Sequence, residues 1–195
     1  MSSRDELLKA VAENQPMNFP LPEIEFLDSE CIYLAETFIN VLTSIGGAVV
    51  LIENLMEIET YILEKFKKSD RIVTTIPAIK WMAELIPATS IPPHALSNVD
   101  FAIIDTHCAV AENGAVWVTE KGIVNRALPF ICQHLAVVVN ARDIVSNMHS
   151  AYNLIGTDDY GYGTFISGPS KTADIEQSLV LGAHGPRSMT IFLIM

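Results

Sequence analysis

The chain has 195 residues, half of them hydrophobic, and its 12 basic and 23 acidic side chains give a formal net charge of −11. This length fits a single domain with a substantial core, and the negative charge argues against nucleic acid or an anionic membrane as a partner. No apolar run approaches the roughly 18 residues that cross a bilayer. The N-terminus lacks the apolar core of a secretion signal, so we expect a cytoplasmic protein.

The first 27 residues differ in pattern from the rest. Ser3–Glu13 has helical spacing, with Leu7, Leu8 and Val11 on one side. Three prolines then interrupt regular structure, which predicts an extended arm over residues 14–27. We therefore divide the chain into an N-terminal helix and proline-containing arm (1–27) and one domain (28–195). Because arms of this kind often wrap a neighbouring subunit, we expect a homo-oligomer.

Helical spacing alternates with short apolar runs between residues 28 and 105. The pattern predicts a helix that starts at Asp28 or Ser29 and is stopped by Gly46-Gly47, and further helices from Leu55 to Lys68 and over Trp81–Ile86. It predicts strands at Ala48–Ile52, Arg71–Ile76 and Asp100–Asp105. Strands that are apolar on both faces are typical of a parallel or mixed sheet covered by helices.

The middle of the chain adds a hairpin. Glu112-Asn-Gly114 lies between two apolar runs, and Asn-Gly is a strong signal for a tight turn. A strand at His134–Asn140, a helix at Asp143–Ile155, a loop at Gly156–Gly163 that could act as a lid, a strand ending at Ile166 and a last strand at Met189–Met195 follow. The predicted fold class is α/β, with a mainly parallel sheet, helices on both faces and an added β-hairpin.

The spacing of the cysteines indicates whether this chain could bind an iron-sulfur cluster or a zinc ion. Cys31, Cys108 and Cys132 are far apart and none forms a Cys-x-x-Cys pair. The sequence therefore gives no basis for an iron-sulfur cluster or a zinc site in this chain. We predict no metal site, no cofactor bound by the chain itself, and buried, reduced thiols.

Polar groups are concentrated between Phe165 and Arg187. Two Gly-Pro turns flank this stretch, and we predict that its ligand-binding residues are Ser167, Gly168, Pro169, Ser170, Lys171, Thr172, Asp174, His184 and Arg187. Ser170 or Thr172 could cap a helix over Ala173–Glu176, and a helix start after a strand and a turn can bind a phosphate or carboxylate. Lysine, histidine and arginine would add groups for an oxyanion.

A structural explanation of the same stretch stays open. Ser, Thr and Asp are the usual caps of any helix, and acidic residues in a first turn already suit the helix dipole. Such carboxylates would also repel an anionic ligand. Glu112 has the same two interpretations, since a carboxylate beside Asn113 and Gly114 could be a nucleophile or base, whereas most turn carboxylates are solvated.

The residues of this stretch resemble a known family. Ser167-Gly-Pro-Ser-Lys-Thr-Ala-Asp-Ile-Glu176, Leu181-Gly-Ala-His-Gly-Pro-Arg187 and Ala111-Glu-Asn-Gly114 are similar to the lactate-utilization (LUD) domain of the lactate-utilization protein C type. The resemblance covers about the last hundred residues. Lys171 replaces the family's usual arginine, and Asn113 stands where threonine is frequent.

The resemblance implies a fold similar to the ribose-phosphate isomerase, glucosamine-phosphate deaminase and CoA-transferase group. CoA-transferases of that group have a catalytic glutamate in a Ser-Glu-Asn-Gly motif, which makes Glu112 the candidate catalytic residue, with Asn113 and Gly114 beside the ligand. The implied function is that of an accessory subunit, without a cluster of its own, in the oxidation of L-lactate to pyruvate. Iron-sulfur subunits would be its partners, and a small anionic metabolite paired with Lys171 or Arg187 would be its ligand.

Two alternatives remain. The chain could be a stand-alone enzyme that uses Glu112 on a phosphorylated or CoA-linked metabolite, or a ligand-sensing or assembly subunit without chemistry.

Overall fold

The structure is a computed structural model that describes residues 2–17, 19, 20, 22, 33–87, 91–157, 159–172 and 180–195. Its helices are α1 (Ser3–Glu13), α2 (Leu34–Ser44), α3 (Glu57–Lys65), α4 (Glu120–Ile123), α5 (Leu128–Ile131) and α6 (Met148–Ile155). Its strands are β1 (Ala48–Ile52), β2 (Ile72–Thr74), β3 (Glu84–Leu85), β4 (Phe101–Asp105), β5 (Cys108–Val110), β6 (Ala115–Thr119), β7 (His134–Asn140), β8 (Ile144–Val145), β9 (Gly163–Ser167), β10 (Lys171–Thr172), β11 (Val180–Leu181) and β12 (Ser188–Ile194).

Six strands form the central sheet, in the order β1-β12-β7-β4-β2-β3. Every neighbouring pair in this sheet is parallel. Strands β7 and β12 bury all five of their middle residues, as expected for parallel strands that are covered on both faces. The predicted α/β class with a mainly parallel sheet is confirmed.

Different layers cover the two faces of this sheet. On one face, Ile58 and Ile62 of α3 pack against Phe101 and Phe192. On the other face lie α2 and a second, four-stranded sheet in the order β8-β5-β6-β9. Helix α6 closes the outer side of this second sheet, where Ala151 packs in one cluster with Trp117.

The predicted hairpin is the centre of the second sheet. Strands β5 and β6 pair antiparallel, and Gly114 in the turn has a φ of +66° and donates its amide hydrogen to Val110 O. Strand β8 joins β5 in parallel, and β9 joins β6 antiparallel. The added element is therefore a four-stranded sheet built around the hairpin.

Two predicted helices differ in the structure. Asp143–Ile155 divides into strand β8 and helix α6, because Ile144 pairs with Ala109 and Asn147 caps the helix by accepting a hydrogen bond from the Ser150 amide. Trp81–Ile86 contains edge strand β3, where Glu84 pairs with Val73. In both cases pairing with a distant strand decides the local conformation.

Helix α3 (Glu57–Lys65) is shorter than the predicted helix from Leu55 to Lys68. Helix α2 is described from Leu34, and residues 23–32, including the predicted start at Asp28 and the boundary after residue 27, lie outside the described residues. The described part of the N-terminal arm, residues 14–17, 19, 20 and 22, has no helix or strand. Whether the arm is a separate unit stays a prediction.

Cys108 and Cys132 are free and buried, while Cys31 lies outside the described residues. Burial raises the pKa of Cys108 to about 11 and that of Cys132 to about 12, so both are protonated, unreactive thiols. Within the described ranges, no helix is long and apolar enough to cross a membrane.

Candidate functional site

The turn from Gly182 to Arg187 folds closely on itself. Gly182 has a φ of +73°, and a Cβ at this position would lie 2.4 Å from Arg187 Cγ. A Cβ on Gly185 would lie 3.0 Å from Ser170 Cβ. Two glycines of the motif are therefore required by close packing.

Backbone hydrogen bonds join this turn to the segment that follows the other Gly-Pro turn, Gly168-Pro169. The Ser170 amide donates to Pro186 O at 3.0 Å, and the Gly182 amide donates to Ser170 O at 3.0 Å. Next to it, Lys171–Thr172 (β10) pairs antiparallel with Val180–Leu181 (β11). These bonds place the two ends of the predicted site side by side.

The predicted helix cap is partly corrected. Ser170 cannot cap a helix, because the next two residues form strand β10. Asp174 and the predicted helix over Ala173–Glu176 lie outside the described residues, so capping by Thr172 stays a prediction.

The hairpin turn also reaches the motif. Ser167 Oγ donates to Asn113 O at 2.7 Å, and Asn113 Oδ1 accepts from the Ala115 amide at 3.1 Å. Gly168 and Pro169 are buried, and Gly168 lies against Ile45 at the end of α2. The structure thus brings together the turn and the start of the motif.

Glu112 has a defined structural partner. Its side chain is exposed, and Oε2 accepts a hydrogen bond from the Met148 amide at 3.0 Å, in the first turn of α6. Its own amide donates to Ser146 O. A carboxylate at a helix N-terminus is favoured by the free amides and the dipole there, so this geometry makes Glu112 a helix cap.

The cationic residues of the motif are exposed. Lys171, His184 and Arg187 all lie at the surface. Among the described residues, none of the three side chains has a hydrogen-bond or ion-pair partner. They differ in surroundings, because Arg187 lines a pocket whose lining includes neither Lys171 nor His184.

The Arg187 pocket opens at the amino ends of β4, β7 and β12 and has a volume of about 410 Å³. The polar groups in its lining come from four separate segments: Lys65, Asp70, Ser97, Asn98, Asp100, Gln133, His134 and Arg187. The backbone holds these segments together, since Arg187 N donates to Gln133 O at 2.8 Å and His134 N donates to Asp100 O at 2.9 Å.

His134 is the titratable group at the centre of this pocket. Its Nδ1 lies 2.8 Å from Ser188 Oγ, and its ring meets Phe66 edge-on. Burial, reinforced by the Arg187 charge, lowers the pKa of His134, although Asp100 and Asp70 oppose the shift. The imidazole is therefore neutral at neutral pH.

The two carboxylates of the pocket are already hydrogen-bonded. Asp100 Oδ2 accepts from the Arg71 amide at 2.7 Å, and Asp70 Oδ2 accepts from the Lys67 amide at 2.8 Å. Lys65 and Arg187 also line the pocket, so the formal charges of the lining balance. An anion would thus be bound by direct contact with the Arg187 guanidinium rather than by a strongly positive field.

Lys65, Gln133 and His134 are not among the ligand-binding residues predicted from the sequence. The sequence does contain one indication that His134 and Ser188 lie close together. His134 and Ser188 begin two apolar strands of equal length, and first residues of neighbouring parallel strands lie side by side; the structure pairs these two. Within the described ranges, no three His, Cys, Asp or Glu side chains lie close enough together to hold a metal ion.

The chain is similar to known proteins over its whole length. Residues 93–194 match the LUD domain family. The lactate utilization protein C of Bacillus pumilus is 31% identical over 100 residues, which cover 48% of this chain and 42% of that protein. The lactate utilization protein C of a Geobacillus species is 24% identical over 204 residues, covering 98% of this chain and 79% of that protein. The chain thus spans less than half of the Bacillus pumilus relative.

A solved structure has the same fold. The crystal structure of a DUF162 family protein from Deinococcus radiodurans superposes with a TM-score of 0.62 at 17% sequence identity, covering 83% of this chain and 96% of that chain. The family match takes in the hairpin, the second sheet, the two Gly-Pro turns and the three strands that border the Arg187 pocket. This chain belongs to the LUD domain family.

Proposed function

We propose that this protein acts in lactate utilization, as an accessory subunit that binds lactate or a closely similar small carboxylate in the Arg187 pocket. Support comes from the family and from the relatives named lactate utilization protein C. Oxidation of lactate to pyruvate would occur with partner subunits that carry iron-sulfur clusters, since this chain has no Cys-x-x-Cys pair to hold one.

The observation that carries the proposal is that a guanidinium without a side-chain partner and a neutral imidazole line the same pocket. The Arg187 guanidinium lines the pocket without a hydrogen-bond or ion-pair partner in the described part of the chain, and His134 lines the same pocket. The planar fork of an arginine matches both oxygens of a carboxylate. A neutral histidine can exchange a hydrogen bond with the 2-hydroxyl group of lactate.

The alternative of a stand-alone enzyme that uses Glu112 has less support. Glu112 Oε2 accepts a hydrogen bond from the Met148 amide at the start of α6, which gives this carboxylate a structural role as a helix cap.

Calorimetric titration with L-lactate tests the binding site. We expect Arg187→Gln to weaken binding at least about tenfold, about 1.4 kcal/mol, because the carboxylate loses its charged partner. Lys171→Gln is the matched control, since it removes an exposed cation of the same motif outside the pocket. Unchanged affinity in Arg187→Gln, or a larger loss in Lys171→Gln, would place the site elsewhere.

Purification from lactate-grown cells tests the role as a subunit. We expect the tagged protein to recover iron-containing partners and lactate-dependent dye reduction. Arg187→Gln should recover the same partners with reduced dye reduction at low lactate concentration. Recovery of the protein alone, without iron and without activity, would contradict the proposed role.

A further inference from the structure

A second pocket lies at the opposite end of strand β4 from the Arg187 pocket. Its volume is about 520 Å³, and it shares no lining residue with the Arg187 pocket. The chain runs from Asp100, in the Arg187 pocket, through the five residues of β4 to His107, in the second pocket. At about 3.3 Å per strand residue, the two pockets are separated by roughly 17 Å.

One wall of the second pocket is apolar. Trp117, Leu154, Ile155 and Tyr160 line it, and the Tyr160 ring meets the Trp117 ring edge-on at 5.2 Å between centroids. Leu154 is 60% exposed and Tyr160 is 38% exposed. A concave surface of aromatic and aliphatic side chains at this volume is typical of a small-molecule site.

The pocket also contains one cation and one anion. Lys121 of α4 and Asp159 of the loop after α6 both line it. Across the ranges that the structure describes, neither side chain has a hydrogen-bond or ion-pair partner, and the two do not pair with each other. Two unpaired, opposite charges therefore border the same apolar wall.

His107 adds a polar group to the lining of this pocket. Its Nε2 lies 3.0 Å from Oγ1 of Thr119, which is only 4% exposed. The second ring nitrogen has no hydrogen-bond partner among the described residues. The buried threonine thus holds the imidazole at the pocket and leaves one nitrogen for a ligand.

We propose that this pocket binds an α-amino acid with a large apolar side chain, of the size of leucine or phenylalanine. The α-carboxylate pairs with Lys121, the α-ammonium group pairs with Asp159, and the side chain packs on Leu154, Tyr160 and the part of Trp117 that lines the pocket. A simple carboxylate would leave Asp159 unpaired beside it, and a simple amine would leave Lys121 unpaired. Only a zwitterion satisfies both charges at once.

Tryptophan fluorescence measures this binding directly. The chain has two tryptophans, and Trp81 lies outside the pocket and is 52% exposed, so Trp81→Phe leaves Trp117 as the single reporter. We expect saturable fluorescence changes with L-leucine and L-phenylalanine. The matched probes 4-methylpentanoate and 3-methylbutylamine, which lack the amine and the carboxylate respectively, should bind at least about tenfold more weakly. No response to either amino acid, or equal affinity for 4-methylpentanoate, would overturn the proposal.

Substitutions in the same reporter background assign the contacts. Lys121→Gln and Asp159→Asn should each weaken leucine binding at least about fivefold, without a change in thermal unfolding midpoint, because both side chains are exposed and unpaired. Arg187→Gln should leave leucine binding unchanged, which separates this proposal from lactate binding at the other pocket. Wild-type affinity in both pocket variants would show that neither charge contacts the ligand and would overturn the proposal.

Discussion

At the scale of single residues, the Glu112 side chain can be interpreted as a catalytic group or as a helix cap, and substitution of Glu112 distinguishes the two. Its position before Asn-Gly resembles a catalytic glutamate, and its carboxylate caps α6 through the Met148 amide. A nucleophile requires the carboxylate itself. A cap requires only an oxygen that accepts a hydrogen bond.

The first prediction concerns this cap. Glu112→Ala should lower the free energy of unfolding by about 1 kcal/mol, as for loss of other helix caps. Glu112→Gln should lower the free energy of unfolding by clearly less, because the side-chain amide oxygen can still accept the hydrogen bond from the Met148 amide. Urea unfolding measures both changes. If Gln abolishes turnover in the reconstituted system while stability is kept, the catalytic interpretation is correct.

The second prediction concerns the protonation of His134. Burial and Arg187 lower its pKa in the folded state, so below its ordinary pKa the unfolded chain binds more protons than the folded one. Stability should therefore fall as pH decreases from the ordinary histidine pKa, about 6.5, through the folded-state value. The pH dependence of unfolding in wild type, compared with His134→Gln, isolates this contribution.

A control for this pH effect is Arg187→Gln. Removing the guanidinium should raise the pKa of His134 toward its ordinary value, and NMR titration of the His134 ring measures that directly. A wild-type His134 that titrates at or above the ordinary value would contradict the explanation.

At the scale of elements, the hairpin turn shows how far a local pattern predicts structure. Asn-Gly predicts the turn, and the structure has it, with Asn113 Oδ1 accepting from the Ala115 amide. The pattern does not indicate that Gly114 also contacts α2. A Cβ on Gly114 would lie 3.1 Å from Leu42 Cα, so the glycine is needed both for its positive φ and for the packing of the helix.

The third prediction is that Gly114→Ala destabilises the fold by roughly 1–3 kcal/mol, because it adds backbone strain and forces a methyl group against the α2 backbone. Gly122→Ala in α4 is the control. Its nearest neighbours would lie 3.9 Å away and its φ is not positive, so stability should be unchanged or slightly higher. Equal losses in both variants would show that the contact with α2 is unimportant.

At the scale of the whole molecule, the described N-terminal residues form no part of the core. Helix α1 has no buried residue, and Leu7, Leu8 and Val11 are 68%, 54% and 57% exposed. The described residues of the arm up to Pro22 are also exposed. The stability of the α/β body should therefore not depend on them.

The fourth prediction is that removal of residues 1–27 leaves the thermal unfolding midpoint at low protein concentration unchanged. If the arm wraps a neighbouring subunit, as we expect from its prolines and from the exposed apolar side of α1, the truncated protein should form a smaller assembly. Light scattering after size-exclusion chromatography measures this. An unchanged assembly would show that the arm does not hold a neighbour, and a large drop in the midpoint would show that it supports the body.

The sequence by itself determined the α/β class, the central strands and the hairpin turn. Strands β7 and β12 are apolar runs long enough to be recognised without their neighbours, and Asn-Gly favours a tight turn whatever surrounds it. The family was also recognisable, because its motif combines Gly-Pro turns with a fixed order of polar residues.

Only the tertiary structure decided the short strands and the pockets. Strands β3 and β8 have two residues each, too few for a local pattern, and they exist because β2 and β5 offer hydrogen-bond partners. The Arg187 pocket joins Lys65, at the end of α3, with His134 and Arg187. His134 and Arg187 meet because the parallel strands β7 and β12 bring their amino ends to one edge of the sheet. A local sequence pattern cannot predict such a site, because the order of the strands in the sheet sets the distances between its residues.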